Sequence, residues 1–354
     1  MNYRSPMIVR MSKQIQEPDY FIMEEVSKKV DNLTKPPGSL GTLEEMVIRL
    51  AGIQRVQVPS VSKRAVVVMC GDHGVVEEGV SAFPSELTGM MMENFARGGA
   101  AINAFSRQVN AGVIVVDIGS KAETPEGIRP LKVKAGTNNM AQGPAMSREE
   151  AIAAIETGMK IAEELATNGY KAVALGDMGI GNTTPSAAIT AAITGAPVAE
   201  ITGKGTGIDE EKRQAKARII EQSLKVNGLA ADWRGQFDAI DIVAKVGGLE
   251  IAGLAGVIIG GAACGLAIVI DGVIAGAAAL IASELFAESR NYLFASHLSE
   301  EPAQMVALNY LGLAPVLHLR MRLGEGSGAV LLFPLLDASI AMLCEMATFA
   351  DMGL

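Results

Sequence analysis

The sequence predicts an α/β protein. A Rossmann-like domain built on a parallel sheet spans residues 60–300, and a small helical domain is assembled from both termini, residues 1–59 and 301–354. Three observations point there. Short β-branched runs alternate with helical stretches, several of those runs end in a glycine turn, and both ends of the chain read as helix with few strand signals.

Residues 65-AVVVMC-70 form the first predicted strand and run into Gly71-Asp72-His73-Gly74. Residues 112-GVIVVDIG-119 form the second, 171-KAVALG-176 the third and 265-GLAIVIDG-272 the fourth. Such continuous apolar runs suit parallel strands covered by helices on both faces. Helix 148–167 carries the clearest signals. Ser147 and Glu150 form a capping box, Ile152, Ile155 and Met159 make an apolar stripe, and Asn168-Gly169 closes the end. Residues 86–107 are helical with an interruption at Gly98-Gly99, and 209–226 are helical with Asp209 as cap. Residues 18–54 read as two amphipathic helices broken by 34-TKPPGSLGTLEE-45, with Thr42 and Glu45 capping the second. Residues 301–322 and 328–350 also read as helical.

Composition narrows the function. A chain that is 49% apolar and 19% charged supports a large core. A net charge of -9 without a basic stripe, together with 4% aromatic residues, argues against a nucleic-acid surface. It leaves room for a local phosphate pocket made of backbone N–H groups. Cys70, Cys264 and Cys344 are far apart and odd in number, which suits reduced thiols in a cytoplasmic protein. His73, His297 and His318 lack ligand spacing, so no metal is expected. The N-terminal MNYRSPMIVRMSKQ has no continuous apolar core and is not a secretory signal. The stretch 251-IAGLAGVIIGGAACGLAIVI-270 is long enough to span a bilayer. Its five glycines fit a buried helix followed by a buried parallel strand better.

Ligands of open parallel sheets bind at the carboxyl ends of strands. The third strand ends in 176-GDMGIGNTTPSAA-188, where Gly176, Gly179 and Gly181 permit tight turns and Asn182, Thr183 and Thr184 are good helix caps. A helix start of this kind makes an anion site. The G-x-x-G-x-G spacing is neither the dinucleotide fingerprint nor the Walker loop, so a phosphate site and a plain tight turn both remain open. A second glycine cluster, 203-GKGTG-207, precedes the helix that holds Lys216, with Lys204 or Lys216 available as a point charge. Further on, 320-RMRLGEGSGAVLLFPLL-336 sets Glu325 between two glycines at the edge of an apolar run, the placement of an acid that something must approach closely.

These segments together resemble the nicotinate-nucleotide:dimethylbenzimidazole phosphoribosyltransferases, the CobT family of cobamide lower-ligand assembly. The resemblance runs from about residue 30 to the end. It rests on KPPGSLGTLEE (35–45), GDHGV (71–75), GVSAFPSELT (79–88), NFARGGAAIN (94–103), GTNNMAQGPAMSREEA (136–151), GDMGIGNTTPSAA (176–188), GKGTG (203–207), VGGLEIAGLAG (246–256), DGVIAGAAAL (271–280) and RLGEGSGA (322–329). It implies transfer of phosphoribose from nicotinate mononucleotide to a base such as 5,6-dimethylbenzimidazole. The configuration at ribose C1′ inverts and an α-ribosyl phosphate results, with no cofactor and a homodimeric enzyme.

The resemblance also assigns roles. Glu325 is the catalytic base, its flanking glycines letting a flat ring sit against it, and Asp177 is a second acid of the site. Ser81, Phe83, Met90 and Leu323 wall the base pocket. Gly176, Met178, Gly179, Ile180, Gly181, Asn182 and Thr183, with Gly203, Gly205, Thr206, Gly207 and Lys216, hold the nucleotide and its phosphate. Asp271 either contacts the ribose or caps a helix. Three positions depart from the family pattern: Asp177 where glutamate is common, Met90 near a common glutamine, and Gln304 where a histidine is common. Asp177 and Met90 open an alternative, a less polar pocket that takes phenol or p-cresol in one subunit of a heterodimer. Two further readings are a noncatalytic stabilising subunit, which would not need Glu325, and a nicotinamide-dependent oxidoreductase, which would need the missing dinucleotide fingerprint.

Overall fold

The computed structural model describes residues 5–205, 207–230 and 233–353. Strands β1 (Arg64–Gly71), β2 (Gly112–Gly119), β3 (Arg129–Pro130), β4 (Ala172–Met178), β5 (Ala267–Ile270) and β6 (Leu293–Ala295) form one sheet in the order β3-β2-β1-β4-β5-β6. Every neighbouring pair is parallel. This is the Rossmann-like sheet expected. The chain builds outward from β1 in one direction, then returns to build from β4 in the other, so the β1–β4 junction is the switch point where such sheets bind ligands. The register there pairs Met69 with Asp177 and Cys70 with Met178.

The sheet is buried because its strands are apolar on both faces, and helices cover each side. Helix Leu249–Ala263 is buried along its length and leads through a turn into β5, which settles the 251–270 stretch as buried helix plus buried strand. Its glycines have a packing role. A Cβ on Gly256 would lie 1.9 Å from the Ile155 carbonyl oxygen, and one on Gly158 would lie 1.9 Å from that of Gly253. Helices Arg148–Thr167 and Leu249–Ala263 therefore touch backbone to backbone, an approach that only glycine permits. Another helical stretch, Ser327–Glu345, is long and apolar enough to cross a bilayer, and more than half of its apolar window is packed inside the fold.

The ends of the chain depart from the expected pattern in several places. Residues 301–322 are not one helix. Helix Pro302–Leu311 ends at Gly312, in the left-handed conformation at φ +70°, and a strand follows. That strand, β8 (Leu317–Met321), pairs in parallel with β7 (His297–Ser299) as a second, two-stranded sheet. Residues 328–350 are likewise divided, into Ser327–Val330 and Phe333–Glu345, with Pro334 in the first turn of the second helix. Thr42 and Glu45 do not cap helix Thr42–Gln54. Its N-cap is Gly41 without a side-chain bond, and the neighbouring Glu44 carboxylate instead accepts the Leu40 N–H at 2.8 Å and pairs with Lys35 at 2.8 Å. A small apolar cluster of Val26, Val30, Leu33, Val47, Ala51, Met342 and Leu343 draws on both termini. Ala303, Ala307, Leu308 and Leu311, Ala329 to Leu336 in part, and Ile8 and Met11 of the short helix Pro6–Ser12 contribute instead to the main core.

Candidate active site

A cavity of about 310 Å³ opens at the carboxyl end of β4, at the switch point. Asp177, Met178, Gly179, Ile180, Gly181, Asn182 and Thr183 form its floor in sequence order. The run leaves the strand, turns at Gly181 (φ +89°) and enters helix Thr183–Thr194, whose N-terminus faces the cavity. The walls come from distant segments: Ser81, Phe83, Leu87 and Met91 from one side, His297, Ser299 and Glu301 from another, and Arg322 to Glu325 from the loop after β8.

Glu325 reaches the site on a strained turn. Gly324, Glu325 and Gly326 all have positive φ, at +88°, +63° and +83°. Left-handed backbone is uncommon for a residue with a side chain, and it persists where the surroundings over-determine it. The surroundings are specific. The Glu325 N–H donates to the Asp177 carbonyl at 3.2 Å. The Gly326, Gly328 and Ala329 N–H groups donate to the Asp271 carboxylate at 3.1, 2.8 and 2.8 Å. Asp271 is thus a cap that anchors the Glu325 turn, and it lies outside the cavity lining. The flanking glycines also serve packing. A Cβ on Gly326 would lie 2.8 Å from Val66 Cγ1, while Gly324 borders the cavity beside the Asp177 carboxylate.

The Glu325 side chain is buried, 4% exposed, and its Oε2 accepts the Ile102 N–H at 3.2 Å. Burial raises its pKa above the ordinary carboxylate value, and the Ile102 hydrogen bond opposes this in part. It does not cap the helix that follows it. Asp177 is pushed well up as well, by burial and then by the Asp271 charge, against a 2.9 Å hydrogen bond from Asn182 Nδ2. Asn182 therefore spends its side chain on Asp177 rather than on capping its own helix. His297, missed from sequence, lines the same cavity as a neutral ring, since burial pulls its pKa down to about 4.

The predicted phosphate residues divide. Gly205 lines the cavity, while Gly203 and Gly207 line an adjoining groove; Thr206 lies outside the described residues. Lys216 is 1% exposed, and its Nζ donates to Thr183 Oγ1 at 2.7 Å, directly behind the cavity wall. Gly176 has a different task from the expected one. A Cβ there would lie 2.4 Å from the Glu325 carbonyl oxygen, so this glycine admits the Glu325 turn against β4 and does not line the cavity. Met90 is corrected too. It is 65% exposed and does not line the cavity, because helix Leu87–Ala96 turns Leu87 and Met91, four residues apart, toward it. Gln304 is buried and structural, accepting the Ser299 N–H at 2.6 Å and donating to the Asp271 carbonyl at 2.7 Å. Among the described residues, no group of three or more His, Cys, Asp and Glu side chains is placed to hold a metal ion.

Comparison with known proteins identifies the family. A family described as phosphoribosyltransferase matches residues 15–354. A nicotinate-nucleotide–dimethylbenzimidazole phosphoribosyltransferase of Desulforamulus reducens is 51% identical over 350 residues, covering 98% of each chain. One of the same name from Geobacter sulfurreducens is 50% identical over 338 residues, covering 95% of this chain and 94% of its own. Among solved structures, CobT from Thermus thermophilus superposes with a TM-score of 0.89 at 44% identity, over 94% of this chain and 99% of that one. The chain belongs to the phosphoribosyltransferase family that contains these nicotinate-nucleotide–dimethylbenzimidazole enzymes.

Proposed function

We propose that the chain transfers phosphoribose from nicotinate mononucleotide to 5,6-dimethylbenzimidazole or a similar base, and that Glu325 is its general base. The observation that carries the reading is the pairing of a buried acid, Glu325, with a phosphate-type pocket of helix N-terminus, glycine turn and Lys216 around one cavity. The substrate has matching halves. Its phosphate suits Lys216, Thr183 and Gly205, and its cationic pyridinium suits the acids.

The chemistry balances without a cofactor. The azole nitrogen attacks ribose C1′ from the face opposite nicotinate, which inverts that centre. The C1′–N bond to nicotinate breaks, and its electron pair neutralises the pyridinium, so departure needs no acid. The azole would be left cationic, and the proton on its second nitrogen passes to Glu325. A raised carboxyl pKa suits that transfer, since a stronger base drives it further. Asp177, Ser81, Phe83 and Leu323 are proposed to hold the incoming ring.

The phenolic alternative loses one of its two grounds, because Met90 does not reach the cavity. The many relatives of nearly full length named for dimethylbenzimidazole do not favour it either. A homodimer of this 36.9 kDa chain working in the cytoplasm is part of the same proposal. Light scattering should then give twice the chain mass. The function is tested by incubating the purified chain with nicotinate mononucleotide and a panel of azoles and phenols. Mass spectrometry should find α-ribosyl phosphate of dimethylbenzimidazole together with free nicotinate; turnover of phenols alone would refute the assignment.

A further inference from the structure

Glu301 stands at the start of helix Pro302–Leu311, yet it makes no cap bond with that helix. Its carboxylate turns toward the glycine turn instead. Oε1 accepts the Gly205 N–H at 2.7 Å, and a Cβ on Gly203 would lie 2.1 Å from Oε2. The residue is 7% exposed and lines both the main cavity and the adjoining groove. The far side of Gly205 faces Thr183 and Lys216. A Cβ there would lie 2.9 Å from Thr183 Oγ1 and 3.3 Å from Lys216 Nζ. One carboxylate therefore braces the turn that closes over the buried ammonium.

Lys204, Glu210, Arg213 and Glu300 line the adjoining groove beside the turn, and Arg213 donates to the Thr202 carbonyl at 3.1 Å. Lys216 meets Thr183 Oγ1 at 2.7 Å from the cavity helix and the Gly203 carbonyl at 3.5 Å from the turn. Glu301 supplies the negative charge, and Arg322 donates to the Gly205 carbonyl at 3.4 Å from the loop after β8. A buried lysine without an anion nearby tends to give up its proton. Burial pulls Lys216 down to about 8, and Glu301 is the charge that opposes the fall.

We propose that Glu301 is a positioning residue for the nucleotide phosphate, fixing the Gly203–Gly205 turn against Thr183 and the Lys216 ammonium while standing outside the reacting atoms. This deepens the phosphoribosyl reading and rests on it. Sequence gave no sign of the role, because an acid in the polar run 299-SEEP-302 is normally solvated.

The test compares wild type, Glu301→Gln and Glu301→Ala with nicotinate mononucleotide at saturating dimethylbenzimidazole, across pH values on both sides of the Lys216 titration. Glutamine keeps an acceptor for the Gly205 N–H and loses the charge. Its nucleotide KM should rise about tenfold above neutral pH with kcat nearly unchanged, as expected for a lost charge-assisted contact. The alkaline limb of its kcat/KM should move to lower pH. Alanine also frees the turn, so its KM should rise at every pH. A glutamine variant with wild-type KM and an unmoved limb would overturn the proposal. So would one whose kcat falls as far as kcat/KM, which would place Glu301 in the chemistry. Wild type inactive on nicotinate mononucleotide would instead sink the functional reading. Titration of the same variants with inorganic phosphate then decides the Glu301 role: weaker binding by the glutamine variant supports it, and equal binding refutes it.

Discussion

The Glu325 N–H donates to the Asp177 carbonyl at 3.2 Å, which joins two acids that lie far apart in sequence into one wall of the cavity. The contact exists because Gly176, beside Asp177, carries no Cβ to hold the Glu325 turn away from β4. The geometry of the proposed base is therefore set by a strand residue that does not line the cavity.

Gly176→Ala tests that dependence. The added methyl meets backbone, which cannot swing aside as a side chain can, so the Glu325 turn must shift. A displacement near 1 Å at a reacting group costs on the order of a hundredfold in rate. We expect kcat to fall by about that factor while the nucleotide KM changes little. A variant with wild-type kcat would show that the turn is positioned by Asp271 alone.

Lys216→Met removes the buried ammonium and keeps an apolar stem of similar length. A hydrogen bond to a charged group is worth roughly 1.5–3 kcal/mol, so kcat/KM for the nucleotide should drop about 10–100-fold. The loss should appear in the nucleotide KM and leave the KM of the base near its starting value. Equal effects on both substrates would contradict a phosphate role.

The pH profile follows from the burial of Glu325. In the proposed role its active form is the carboxylate, and its pKa in the folded chain lies above the ordinary value because burial disfavours the charge. Activity should therefore be full above that raised pKa and decline as pH falls through it. The acid limb of kcat/KM should sit at higher pH than an exposed glutamate would give. An acid limb in the ordinary carboxylate range would assign proton transfer to another group.

Gly256→Ala addresses the fold rather than the site. Its methyl would press on the Ile155 carbonyl and force helices Arg148–Thr167 and Leu249–Ala263 apart. Overpacking of this kind costs typically about 1–3 kcal/mol. A lower urea midpoint should result, with KM values unchanged in the fraction that remains folded.

The sequence reveals what local pattern determines. Strands β1, β2 and β4 are continuous apolar runs, and they were readable with near-final bounds. The two-residue β3 and three-residue β6 and β7 carry too little pattern to read, since their pairing comes from distant neighbours. Strand β8 does alternate, with Leu317, Leu319 and Met321 against His318 and Arg320, but it spans only five residues, three of them exposed, and this short signal is easily lost beside the helix that precedes it. At the site, the glycine runs marked the loops, but which side of a helix faces the cavity is a matter of packing. The three consecutive methionines Met90 to Met92 look alike in sequence, and only Met91 lines the cavity. The glycine cluster 203–207 leaves Lys204 and Lys216 equal candidates and the family resemblance favours Lys216; nothing in its charged surroundings, 209-DEEKRQAKAR-218, marks it as buried.

The central claim is that one carboxylate takes the proton released when the ring bonds to ribose. It is tested most directly by Glu325→Gln, which preserves shape and an acceptor for the Ile102 N–H while removing basicity. With saturating nicotinate mononucleotide and dimethylbenzimidazole, kcat should fall about 10²–10⁴-fold while the nucleotide KM stays within a few-fold of wild type. A glutamine variant that turns over at the wild-type rate would contradict the account.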